Sequence, residues 1–371
     1  MYCPKHFHYY LFALLFMLIG MSSCKISRFV YHNFADINDY KIFPVREIER
    51  GETTFYFPKA KQEKIPKSLT IQEKEYLFEA YLEANESVAF LVIQNDSIQY
   101  EKYWDKYDEA SIVPSFSVAK SITSILIGIA IDEKLIQSID EPITNYIPEL
   151  KQNGFEEVTI EHLLQMTSGL KFNEGYYNPF GEVASFYYGT NLRNQIFNLK
   201  LKQDPGEEFE YVSGNTQLLG LILHRALKNR SISSYLEEKL WQPLEMEYNA
   251  SWSLDRKKDG LEKTFCCLNA TARDYAKIGR LYLNKGNWNG KQIISEDWVN
   301  QSTKIDTTNN SASHYQYQWW LPSKTGDYAA QGILGQYIYV NPAKNLIIVR
   351  LGKSEGEANW ESILAELGQA Y

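Results

Sequence analysis

Ser117 and Lys120 are the residues of this chain whose types and spacing most directly allow chemistry. They stand three apart in Pro114-Ser115-Phe116-Ser117-Val118-Ala119-Lys120, and on a helix that interval brings a hydroxyl and an amine to one face. An amine beside a hydroxyl at a helix N-terminus is one way to activate a nucleophile. The bare pattern Ser-x-x-Lys carries little weight, because it recurs at Ser22/Lys25 and Ser168/Lys171 and roughly two chance matches are expected in a chain this rich in both residues. Context separates the three. Ser22 lies in an N-terminal leader, and Ser168-Gly169 reads as a turn. Ser117 alone opens a stretch, Ser121–Ile131, that is apolar on almost every face, as in a helix buried in a large core. Capping of that helix is the competing structural role for Ser117.

A second group lies downstream. The turn Asp204-Pro205-Gly206 leads through Phe209 and Glu210 to Tyr211-Val212-Ser213, and another apolar helix follows. In extended backbone, positions 211 and 213 point the same way. A phenol there can relay a proton to a leaving group, and a hydroxyl beside it can steady the network. A buried, hydrogen-bonded core aromatic is the alternative for Tyr211, one of 27 tyrosines. Tyr176 and Tyr177, just before Pro179, either line a substrate cleft or pack within their own loop. His162 and His224 fall in helical patterns and read as structural. The sequence has no Gly-x-Ser-x-Gly elbow, no His-Glu-x-x-His and no Cys/His cluster at metal spacing, so neither a metal nor an organic cofactor is expected.

The elements that must position these groups follow from periodicity. Residues 25 to about 70 read as an extended arm punctuated by Pro44, Pro58 and Pro66. Thr70–Ala84 is expected to be a helix, with Thr70 as N-cap and Glu73 three residues on. Val88–Gln94 and Ser97–Trp104 form a hairpin around Asn95-Asp96. Between about 132 and 254 strands are scarce; helices are expected at Thr159–Met166 and Ser213–Leu227, separated by long loops. A helix over Thr271–Asn284 precedes strands at Tyr315–Leu321, Tyr328–Ile333, Gln336–Val340 and Leu346–Leu351, and Trp360–Gly368 closes the chain as a helix. The fold class is therefore α+β: one antiparallel sheet built from both chain ends and flanked by helices, with an inserted, mostly helical lobe. The cleft between sheet and lobe is where a site belongs.

Composition narrows the function. A net charge of −8 over 371 residues, with no Lys/Arg-rich run, excludes a general nucleic-acid binder. At the N-terminus, Lys5 precedes the apolar run Leu11–Met21, which is too short to span a bilayer. Ser22-Ser23-Cys24 follows, so the leader resembles a bacterial lipoprotein signal (residues 1–23), cleaved before Cys24 and lipidated there. An ordinary signal peptide with a free Cys24 is the alternative; both mean export. Residues 24–69 then form the arm and 70–371 the main domain. Cys266 and Cys267 are neighbours and are not expected to pair, because disulfide geometry is demanding.

Several stretches, in order, resemble the serine β-lactamase/penicillin-binding-protein superfamily. They are Ser117-Val-Ala-Lys120, Leu163–Leu170, Pro205-Gly206 before Tyr211-Val-Ser213, Leu268–Arg280 and Gly332–Pro342. Within that superfamily the chain is similar to the class C β-lactamase-like hydrolases, which include carboxylesterases and 6-aminohexanoate-dimer hydrolases. The resemblance implies the β-lactamase/transpeptidase fold. It implies Ser117 as acylated nucleophile, Lys120 as proton acceptor or network holder, and Tyr211 as general base or acid. Ser213 fills the third place of the Tyr-x-Asn motif, and the backbone N–H groups of Ser117 and Ile333 form the oxyanion hole. The family's Lys-Thr-Gly motif has an obvious match in Lys324-Thr325-Gly326. However, Trp319-Trp320-Leu321-Pro322 ends one strand and Asp327-Tyr328 begins the next, so this match reads as a turn. Gly332 then takes the motif glycine and Ala330 the lysine position, which argues against efficient penicillin hydrolysis.

The expected protein is an exported, lipid-anchored serine hydrolase acting on an amide or ester of a small molecule or short peptide. A β-lactamase or D-Ala-D-Ala carboxypeptidase is the enzymatic alternative. A catalytically idle envelope ligand-binding protein of the same fold is the alternative from another class.

Overall fold

The computed structural model describes residue 32, residues 34–228 and residues 230–371. Its centre is a seven-stranded antiparallel sheet drawn from both ends of the chain. The first two strands, β1 (Ser87–Gln94) and β2 (Ser97–Tyr103), form the expected hairpin. The other five are β3 (Tyr315–Gln316), β4 (Trp319–Trp320), β5 (Tyr328–Gly332), β6 (Gln336–Asn341) and β7 (Leu346–Gly352). Their order across the sheet is β3-β4-β5-β6-β7-β1-β2, so β7 at the C-terminal end pairs with β1 at the N-terminal end.

The sheet is buried on both faces, and its residues alternate between two cores as the strand pleat requires. On one face, Phe90, Val92, Leu346 and Ile348 pack with helix α1 (Phe78–Ala84) and the closing helix α5 (Trp360–Ala370) through Phe78, Leu82, Trp360, Ile363 and Leu367. On the other face, Leu91, Ile93, Ile347 and Val349 join the larger core, which also takes in α2 (Val118–Asp132), α3 (Ser213–Ala226) and α4 (Ala272–Leu283). Helix α2 is buried along its length from Val118 to Ala130, in keeping with its lack of a polar face. Gly279 lets α4 lie close on the sheet: a Cβ there would come within 2.9 Å of Ile347 and 3.0 Å of Ile338.

The helical lobe is as expected in kind, though its elements are shorter. Thr159 caps a helix of only Ile160–Leu164, and the His162 ring Nδ1 in turn accepts from the Thr159 N–H. The arm is tied down by its strand Val45–Ile48, which pairs with Ala250–Ser253 in a small four-stranded sheet.

Two local expectations are corrected. Thr70–Ala84 is not one helix. Ser68–Ile71 and Lys74–Leu77 pair as a hairpin, because Gln72 and Glu73 take φ of 48° and 65° and so make a tight turn of the kind that matches strand twist. The helix begins only at Phe78. Tyr315–Leu321 is likewise not one strand: Tyr317 and Gln318 have φ of 38° and 71° and reverse the chain between β3 and β4. The leader and Cys24 lie outside the described residues.

Candidate active site

The site forms where the start of α2 meets the end of β5 and the stretch leading into α3. Phe116, immediately before Ser117, has φ of 44° and is buried, a disfavoured backbone state for a side chain with a Cβ. It turns the chain so that the Ser117 side chain faces a cavity. Ser117 occupies the N-cap position of α2 but makes no side-chain capping bond, so the capping role is not what its hydroxyl does. Instead the Ser117 Oγ accepts a hydrogen bond from Lys120 Nζ at 2.8 Å.

Lys120 is buried, with 1% of its surface exposed. Its Nζ also donates to the Phe265 carbonyl at 2.9 Å and lies 5.1 Å from the centre of the Tyr211 ring. Burial pulls its pKa down to about 8, against a smaller upward pull from the Glu174 carboxylate. Burial, reinforced by the Glu174 carboxylate, pushes the Tyr211 pKa up, against a smaller downward pull from Ser117. The Tyr211 ring is held between aromatic neighbours, edge-on to Tyr315 at 5.8 Å and tilted against Trp320 at 5.3 Å. Ser117, Lys120 and Tyr211 thus form one contact group, although 94 positions separate the first from the last.

Gly332 explains how the sheet reaches this group. A Cβ on it would stand 2.6 Å from the Ser115 carbonyl oxygen and 3.0 Å from the Ser117 nitrogen, so glycine is what lets β5 close on the start of α2. The next residue, Ile333, and Ser117 both line a cavity of about 310 Å³, together with Tyr176, Ser213, Cys266 and Glu355. Phe34 of the arm also borders it, edge-on to Tyr177 at 5.0 Å.

The structure adds Glu174, which no spacing in the sequence marks. Its carboxylate accepts from Ser213 Oγ at 2.6 Å, from the Ser213 N–H at 2.7 Å and from the Tyr176 hydroxyl at 3.0 Å. A carboxylate at the first turn of α3 is favoured by the helix's exposed N–H groups. Ser213 therefore turns its hydroxyl to Glu174, not to Tyr211, because α3 begins at Ser213 and breaks the extended alternation. Glu174 sits in a loop rich in Asn, Gly and Pro, where no periodicity points to a partner.

Other sequence matches separate cleanly. Ser168 Oγ donates to Asn215 Oδ1 at 2.5 Å in the core, whereas Lys171 is exposed, so that Ser-x-x-Lys match is structural. Lys324 lies in the turn between β4 and β5 and borders a separate depression with Thr303, Lys304 and Asp327. Ala330 is fully buried within β5, two residues before Gly332, and so on the same face. His162 serves in its helix cap. The expectation that Cys266 and Cys267 stay unpaired is corrected: they form a disulfide. Cys267 has φ of 73°, a backbone turn that extended or helical conformations would not provide. Among the described residues no cluster of His, Cys, Asp and Glu could hold a metal ion.

Comparison with known proteins gives a consistent result. A family model described as Beta-lactamase matches residues 76–366. The 6-aminohexanoate-dimer hydrolase of Paenarthrobacter ureafaciens is 28% identical over 294 residues, covering 74% of each chain. A Bacillus anthracis structure provisionally described as a 6-aminohexanoate-dimer hydrolase superposes with a TM-score of 0.80 at 23% identity, over 90% of this chain and 92% of that one. A penicillin-binding protein from Bacillus halodurans gives 0.64 at 18% identity, over 79% of this chain and 99% of that one. At these identities the two structures speak for the fold.

Proposed function

The chain belongs to the Beta-lactamase family, whose members here include hydrolases, and on that premise we propose that it is an exported serine hydrolase that cleaves an amide or ester through an acyl-enzyme on Ser117. The observation that carries this reading is the 2.8 Å hydrogen bond between Lys120 Nζ and Ser117 Oγ at the wall of a cavity.

Lys120, with its pKa drawn down to about 8, is a neutral amine in a useful fraction of molecules near neutral pH and can take the Ser117 proton as the oxygen attacks a carbonyl. The negative charge that develops on the carbonyl oxygen is then met by the N–H groups of Ser117 and Ile333. Support for that pairing is the close approach of Gly332 to the Ser117 nitrogen. Tyr211, which stays protonated because its pKa is raised, is suited to hand a proton to the departing amine or alkoxide. Water then attacks the ester on Ser117, and the same groups act in reverse order.

The cavity lining includes Glu355 and, among the described residues, no lysine or arginine. Apart from Lys120, which is engaged with Ser117 and the Phe265 carbonyl, a substrate carboxylate would meet no lysine or arginine among those lining residues, which favours a neutral or amine-bearing amide or ester over a penicillin. The 6-aminohexanoate-dimer hydrolase relative is in keeping with an amide. Export and anchoring through lipid on Cys24 rest on the leader sequence; no described helix is long and apolar enough to cross a membrane.

A fluorophosphonate probe with a chromogenic ester tests the reading. Wild type is expected to label and to turn over, and Ser117→Ala to do neither. Labelling that persists in Ser117→Ala would remove Ser117 from its role, and a wild type that never labels would favour an idle binding protein.

A further inference from the structure

The Cys266–Cys267 disulfide is used by nothing in the chemistry above, yet it stands beside the group that carries it. Both cysteines are buried, and Cys266 lines the cavity that Ser117 faces. The residue immediately before them, Phe265, presents its carbonyl to Lys120 Nζ at 2.9 Å and its ring at 5.8 Å from the same atom.

The segment is held from outside by backbone and indole bonds. The Cys266 N–H donates to the Lys263 carbonyl at 3.1 Å, and the Cys267 carbonyl accepts from the Ser253 N–H at 3.0 Å. The Cys266 carbonyl accepts from Trp252 Nε1 at 3.0 Å. Within the segment Cys267 holds φ of 73°, a conformation an L-residue with a Cβ rarely adopts unless constrained. The sulfur–sulfur link closes a small ring around the peptide unit joining the two residues and adds to these constraints. It thereby acts on where the chain points just after the Phe265 carbonyl.

We infer that the Cys266–Cys267 disulfide is a positioning element for Lys120 and a redox-sensitive site in the wall of the catalytic cavity. This rests on the reading of Ser117 and Lys120 as the acylation pair. A dithiol reductant transfers two electrons and two protons to the sulfur–sulfur bond; the bond breaks, Cys266 and Cys267 become thiols, and the dithiol leaves as its own disulfide. Opening the ring frees Cys267 to leave the left-handed region. The Phe265 carbonyl then loses its register with Lys120 Nζ, and the Cys266 thiol stands in the cavity wall. Losing an acceptor that favours the charged amine makes Lys120 easier to deprotonate, while the amine is held less firmly against Ser117.

The test uses the full chain purified without reductant, assayed before and after dithiothreitol treatment under native conditions. Mass analysis of the tryptic peptide 264–273 reports the state of the two sulfurs, and fluorophosphonate labelling reports competent sites. The expected result is a disulfide in the untreated protein. On reduction kcat falls about tenfold with a smaller change in KM, the acidic limb of the kcat/KM profile moves to lower pH, and both recover on reoxidation. The double variant Cys266→Ser/Cys267→Ser is expected to match the reduced protein and to ignore dithiothreitol. Thiols in the untreated peptide, or a reduced wild type with unchanged kcat and pH profile, would overturn the inference. If the untreated protein neither labels nor turns over ester, the hydrolase reading fails and takes this inference with it. If labelling is normal but blind to reduction, only the inference fails.

Discussion

Glu174 accepts hydrogen bonds from both the side chain and the backbone N–H of Ser213, at 2.6 Å and 2.7 Å. One carboxylate thereby ties the loop that carries Tyr176 to the first turn of α3, directly after Tyr211. Its charge is felt by the pair that matters, raising the pKa of both Lys120 and Tyr211. Replacement by Glu174→Gln keeps the shape and removes the charge. Lys120 then titrates lower, so the acidic limb of kcat/KM is expected to move to lower pH. The loss of charge-assisted bonds to Ser213 is expected to lower stability by about 1–2 kcal/mol. A kinetic pH profile with a thermal melt checks both; a limb that stays in place would deny Glu174 its electrostatic part.

The wild-type pH profile is itself a prediction. Burial depresses the Lys120 pKa to about 8, so below that pH the amine is protonated and cannot accept the Ser117 proton. Activity is expected to rise with pH through a midpoint near 8 and to level off only above it, because Tyr211 is shifted upward and loses no proton there. Steady-state kcat/KM between pH 5 and 10 measures this. A limb centred near pH 6 would point to a different base.

Gly332 permits the close contact between β5 and the start of α2. In Gly332→Ala the new Cβ meets the Ser115 carbonyl oxygen at 2.6 Å and the Ser117 nitrogen at 3.0 Å, and one of the two strands of backbone must give way. Loss of oxyanion contacts is expected to lower kcat about 100-fold, with a smaller effect on KM. Equal kcat in the variant would separate this strand from the oxyanion hole.

Lys324 offers a control in the opposite direction. It borders a depression that shares no residue with the Ser117 cavity, so Lys324→Ala is expected to leave ester turnover within about twofold of wild type, as surface changes usually do. A large loss, or rapid nitrocefin hydrolysis by wild type that this variant abolishes, would restore Lys324 to the site.

The leader makes its own prediction. With Cys24→Ala, lipidation is expected to be lost and the protein to move from the membrane fraction to the soluble fraction of cells, with activity on soluble esters unchanged. Unaltered fractionation would favour the ordinary signal peptide.

Much of the fold was legible because its strands and helices obey simple periods. Val88–Ile93 and Leu346–Val349 are continuous apolar runs, as strands covered on both faces must be. Helix α2 has no polar face, as a central helix must not. Misreadings arose where backbone sign decided the outcome. Gln72-Glu73 and Tyr317-Gln318 turn the chain through positive φ without the glycine or Asn-Gly that usually announces it. The same holds at Cys267, where the turn brings two adjacent sulfurs together.

The sequence by itself determined the pairing that lies within one element. Ser117 and Lys120 are three apart on α2, and helix geometry alone brings their side chains together. It also marked Tyr211 and Gly332 through an ordered resemblance, and it identified Lys324 as part of a turn. Tertiary structure alone decided what surrounds them: the Phe265 carbonyl, 145 residues from Lys120, the Glu174 carboxylate on Ser213, and the disulfide in the cavity wall. The physical reason is the range of each rule. Hydrogen-bonded backbone fixes neighbours a few residues apart, whereas burial and loop closure choose which distant groups meet, and no local spacing records that choice.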